Sequence, residues 1–158
     1  MDRRELLTRT GALLGAVSLG GCLSRYGEIP GGGGGTTASS PTLAERSFEM
    51  TDAGCGNPTN EASVAFDPER STVVVTGTIS AQNACHRAKL VDTSYDPEAG
   101  TLAVTVATTP REGAEVCAQC IFEIDYEATF RFDGGLPAKV SVTHDGLGGS
   151  KTVTTTKR

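Results

Sequence analysis

The chain has 158 residues, with 19 Asp and Glu against 14 Lys and Arg, and a formal net charge of −5 at pH 7. This acidic balance argues against a nucleic-acid partner, which needs a basic surface, and against electrostatic docking on anionic lipid. Aromatic residues make up only 5% and Trp is absent, so Val and Ile must fill much of any core.

The chain opens with Arg3-Arg4 and Leu6-Leu7. After Arg9 an uncharged stretch runs from Gly11 to Gly21 and ends in Leu19-Gly20-Gly21-Cys22. A basic start, a short apolar run and small residues before a cleavage point make a secretory signal. The paired arginines fit its twin-arginine form. The run is too short for a membrane span, which takes about 20 apolar residues. Gly11, Gly15, Gly20 and Gly21 would each weaken a cytosolic amphipathic helix. Small residues before Cys22 leave its backbone open to a lipoprotein peptidase, after which the Cys22 thiol carries lipid.

The segment resembles the twin-arginine lipoprotein signals common in haloarchaea, in Asp2-Arg3-Arg4-Glu5-Leu6-Leu7 and in the Leu19 to Cys22 lipobox. The resemblance covers the signal and the tether only. It implies that residues 1–21 are removed and that Cys22 is anchored by lipid on the outer face of the cytoplasmic membrane. It implies no activity, and no cofactor is expected beyond the covalent lipid. Loss of residues 1–21 brings the net charge to about −6, so the lipid itself must supply membrane attachment.

Residues 22–45 read as the lipidated cysteine and a flexible tether. Gly31 to Gly35 are unbroken glycine, followed by Thr36, Thr37, Ser39, Ser40 and Pro41. Such composition cannot bury enough apolar area to offset its chain entropy. A phosphate-cradling loop would need a Lys-Ser or Lys-Thr pair after the glycines, and none follows. The tether's r.m.s. reach is about 25–30 Å.

Residues 46–158 read as one domain of strands. Period-two patterns predict strands over 71–80, 101–108 and 138–144, and shorter strands are expected near 46–51, 62–66, 88–95 and 151–156. The longest expected strand is Cys117 to Phe132. Phe122, Ile124, Tyr126, Ala128, Phe130 and Phe132 share one parity and should be buried, while Glu123, Asp125 and Glu127 share the wet one. Phe66-Asp67-Pro68-Glu69 is echoed by Tyr95-Asp96-Pro97-Glu98, each an Asp and Pro turn before a valine-bearing strand. About eight strands, regular turns and no helical period predict an all-β, antiparallel, immunoglobulin-like sandwich.

Cys55, Cys85, Cys117 and Cys120 remain after Cys22. An even count in an exported domain predicts two disulfides, with three possible connectivities. If 117–120 is extended, its end Cα atoms lie roughly 10 Å apart, beyond the roughly 7 Å limit of a disulfide. Cys120 has the inward parity of Phe122 and Cys117 the opposite one. Cys85 precedes a strand whose hairpin mate leads into Cys117. Together these favour Cys85–Cys117 and Cys55–Cys120 over the swapped pairing. Counting strand reversals places all four cysteines, His86 and His144 at one pole, away from the tether.

A rival reading makes that pole a metal or thiol-redox site, with Cys55, Cys85, Cys117, Cys120, His86 and His144 as its side chains. Cys117-Ala118-Gln119-Cys120 is a C-x-x-C, and Cys85-His86 sets sulfur beside imidazole. Against it, reactive pairs draw acidity from a helix N-terminus, here replaced by a strand, and paired zinc knuckles need a second C-x-x-C. Each histidine alone reads as a surface residue. Glu123, Asp125 and Glu127 could suggest carboxylate catalysis or calcium, but alternation on a solvated face accounts for them. There is no G-x-S-x-G or H-E-x-x-H pattern. The sequence therefore reads as a non-enzymatic lipoprotein domain that binds or supports a protein or small molecule of unspecified kind.

Overall fold

The structure, a computed structural model, describes residues 40–158. The signal, Cys22 and the tether through Ser39 lie outside the described residues. The chain forms β1 (Thr42–Cys55), β2 (Glu61–Asp67), β3 (Thr72–Ala81), β4 (His86–Asp96), β5 (Thr101–Pro110), β6 (Phe122–Asp133), β7 (Lys139–Gly146) and β8 (Gly149–Lys157). No helix occurs among the described residues. Two four-stranded sheets, ordered β1-β6-β3-β2 and β4-β5-β7-β8, share one apolar cluster. Val73, Val75, Ile124, Phe130 and Phe132 come to it from the first sheet, and Leu102, Val104, Val106, Val140 and Val142 from the second.

Three expectations need correction. β1 begins at Thr42, so residues 42–45, read as tether, belong to the sheet. Leu43 packs on the core, and Arg131 of β6 donates to Glu45 Oε2 at 2.6 Å. These two contacts give a polar segment a reason to be ordered. Second, the sheets are not purely antiparallel, because β5 and β7 pair in parallel. β6 intervenes in sequence but lies in the other sheet, so β5 and β7 run the same way and become neighbours. The resulting strand orders also differ from the ABED and CFG orders of an immunoglobulin constant domain. Third, the strand expected over Cys117 to Phe132 starts only at Phe122. Residues 111–121 instead cross irregularly from one sheet to the other.

β6 is hydrogen-bonded to β1 on one side and β3 on the other. Its alternation places Ile124, Tyr126, Ala128, Phe130 and Phe132 in the core, with Phe122 half-buried at the strand's start. Glu123, Asp125 and Glu127 lie on the opposite face as expected, but half-buried rather than fully wet, because side chains of both neighbouring strands crowd a central strand. The two echoed turns are the same device. Asp67 Oδ1 accepts from the Glu69 and Arg70 amides, and Asp96 Oδ1 from the Glu98 and Ala99 amides. Each ends four residues later in a left-handed residue, Ser71 at φ 55° and Gly100 at φ 66°. That conformation suits Gly100 and strains Ser71.

Phe130 is fully buried, so Phe130→Ala should destabilise the domain by about 3–5 kcal/mol, while Glu127→Ala should cost less than about 1. Urea unfolding of both variants checks the register, since equal losses would mean that β6 is slipped by one residue.

Candidate functional site

The strand directions bring the ends of β1, β3, β5 and β7 and the starts of β2, β4, β6 and β8 to one pole. Cys55 ends β1, Cys85 immediately precedes β4, and Cys117 and Cys120 sit in the crossing segment before β6. Thr42, where β1 begins, pairs with Asp133 at the opposite pole.

Cys55 is bonded to Cys120, with Cα atoms 5.7 Å apart, and Cys85 to Cys117, with Cα atoms 5.3 Å apart. This is the connectivity that parity favours, although Cys117 and Cys120 lie before the strand whose parity is extended to them. The geometric cause is different. The crossing segment passes the β3–β4 loop and then the end of β1, and each bond fastens it to one of them. Backbone bonds repeat the pattern: the Gly56 amide donates to Ile121 O at 2.9 Å, Ala84 to Ala118 O at 3.1 Å and Arg111 to Cys85 O at 2.7 Å. With sequence separations of 65 and 32 between partners, each disulfide stabilises by roughly 4 kcal/mol through loop-closure entropy.

The β1–β2 loop is held by side chains below it. Ser80 is fully buried. Its Oγ accepts from the Thr59 amide at 2.7 Å and donates to Thr59 O at 2.9 Å. Glu123 accepts from the Asn57 amide at 2.9 Å and from Thr59 Oγ1 at 3.0 Å. Asp125 accepts from Thr78 Oγ1 at 2.6 Å. Two of the three aligned carboxylates thus hold neighbouring strands and loops.

The two histidines part company. His86 is half-buried, its Nδ1 2.9 Å from Asn83 Oδ1. His144 is no surface residue. It is 1% exposed, because Val140, Val142 and His144 share the inward parity of β7. Its Nε2 lies 2.8 Å from the Tyr126 hydroxyl and its Nδ1 3.2 Å from Asn60 Oδ1. The carbonyl of Asn60 fixes the proton on Nδ1, so Nε2 accepts from Tyr126. Tyr126 belongs to the first sheet and His144 to the second, so this bond ties the layers together through the core. Phe48 stacks on the Tyr126 ring at a centroid distance of 5.3 Å. Gly77 makes the room, since a Cβ there would stand 2.6 Å from the Tyr126 hydroxyl. Period-two parity marks Tyr126 as inward, whereas His144, read as a surface residue, shares the parity of Val140 and Val142, the signal that could have placed it inside. No sequence rule marked them as partners.

Burial, aided by the positive charge of Lys151, pushes His144 down to about 4. Burial also raises Tyr126 well above its ordinary value. Both groups therefore stay neutral, sealed from solutes. The six residues of the metal reading do not assemble into one ligand set. All four sulfurs are in disulfides, and among the described residues no three His, Cys, Asp or Glu side chains converge to hold a metal ion. The chain matches no family model, no curated protein and no solved structure.

His144 binds its proton more weakly in the folded than in the unfolded state. Stability is therefore full above about pH 6.5 and falls as pH drops toward 4, by about 3 kcal/mol in total. Unfolding measured at pH 7, 5.5 and 4 should show this acid loss reduced in His144→Gln. Parallel pH profiles for the two proteins would remove His144 as its source.

Proposed function

We propose that the protein is an exported lipoprotein, held on the outer face of the cytoplasmic membrane by lipid on Cys22, whose β domain is a non-enzymatic binding or structural module. The observation that carries this reading is the pairing of all four domain cysteines in two disulfides, bonds that persist in oxidising, extracytoplasmic compartments. Arg3-Arg4 and the Leu19 to Cys22 box supply the route and the anchor. Thr42, where β1 begins, lies at the pole opposite the disulfides. The non-enzymatic reading is supported by the two strongly shifted core groups, His144 and Tyr126, which bond to each other and are 1% exposed each.

Replacing Cys22 by Ser should release the protein from membranes or leave it uncleaved. Replacing Arg3 and Arg4 by Lys should block export. A Cys22→Ser protein of full mature size in the membrane fraction would contradict the anchor.

A thiol count on unreduced protein should find the four domain cysteines blocked, and peptide mapping should recover Cys55 with Cys120 and Cys85 with Cys117. Four free thiols with bound zinc or copper would replace this reading with the metal or thiol-redox one.

A further inference from the structure

An unpaired edge strand invites another strand, and natural sheets usually guard against it with bulges and charges. Three of the four edges here are guarded. β1 has two register shifts and displays Glu45, Arg46, Glu49 and Asp52. β4 has one shift and carries Arg87 and Lys89. β8 pairs across a shift and carries Lys151 and Lys157. β2 lacks these guards. Its seven residues follow β3 in unbroken register, with charge only at its ends, Glu61 and Asp67.

Half-buried apolar side chains border the core on both sides of the sandwich. On the β1/β4 side Met50 reaches across, and its Sδ accepts from the Ala88 amide at 3.3 Å. On the β2/β8 side Ala62, Val64, Phe66 and Val153 pack on the core yet stay only half-buried. The other face of β2 borders a groove of about 480 Å³, lined by Glu61, Ser63, Thr76, Thr78, Asp125 and Glu127 among others. Among the described residues no cation pairs with Glu61, Asp125 or Glu127.

We propose that β2 is a docking edge for an extended peptide segment in which basic and apolar residues alternate. Such a segment continues the sheet by backbone hydrogen bonds. Side chains of an added strand alternate between the two faces. Its apolar residues cover Val64 and Phe66, and its Lys or Arg side chains reach toward Glu61, Asp125 and Glu127. A second copy of this chain fits less well. Antiparallel self-pairing about Val64 sets Glu61 opposite Asp67 of the other copy, and like charges across a strand pair repel. The inference rests on the binding-module reading and names its ligand class. It does not depend on lipid at Cys22 or on the disulfide map, so those tests fail or succeed separately.

The test uses the full chain with three short, end-blocked synthetic peptides: alternating Lys-Val, alternating Lys-Ser of equal charge, and alternating Glu-Val. Amide hydrogen exchange is read residue by residue. The Lys-Val peptide should slow exchange of the free-edge amides of β2 by about tenfold or more and leave β1, β4 and β8 unchanged. Ser63→Lys with Ala65→Lys, both at exposed positions, should cancel this protection while the Tm is retained. Glu61→Gln with Glu127→Gln should weaken Lys-Val binding independently of that variant. The proposal is overturned by absence of β2 protection, by equal protection from Lys-Ser or Glu-Val, by protection at another edge, or by protection that survives in both variants.

Discussion

β6 is the strand on which the rest of the sandwich depends. It is central in the first sheet, paired with β1 and β3 along most of its length, and it carries the largest share of bulky core side chains. Burying each of Ile124, Phe130 and Phe132 contributes about 1.5–3 kcal/mol. Its register also decides which neighbours can exist. Gly77 lies opposite Tyr126, where any larger residue on β3 would collide with the ring. β1, polar along much of its length, is ordered because it pairs with β6 from Thr42 to Cys55, across two register shifts, and because Leu43 and Phe48 reach the core.

The Tyr126–His144 bond places a polar link inside an otherwise apolar interface. A buried polar group without a partner costs far more than a satisfied one contributes, and this link is closed at both ends, by the Tyr126 hydroxyl and by Asn60. A hydrogen bond between layers fixes how one sheet sits on the other, which apolar contact alone does weakly. Burial makes the core sensitive to acid, since protonated His144 would be a cation held away from water and near Lys151.

The two poles differ in how they are held. At the pole where β1 begins, hydrogen-bonded turns suffice, with Asp67 and Asp96 as side-chain acceptors. At the other, the chain must cross between sheets over residues 111–121, a segment with no fully buried residue. Burial cannot order it, so disulfides and backbone bonds to two neighbouring loops do. The covalent staples lie where the hydrophobic effect has least to act on.

Much of this domain is legible in its sequence. Alternation in Phe122 to Phe132 and in Leu102 to Val106 announces strands and their inward faces, because side-chain direction in a strand is a local property. The repeated Asp-Pro turns are equally local, closed within four residues by their own side chains. Pairing is not local. That β7 lies parallel beside β5, that β1 starts at Thr42, and that His144 meets Tyr126 across the core all depend on which strands become neighbours. The tertiary structure alone decided these points, since each is a contact between segments whose separate sequences favour no particular partner.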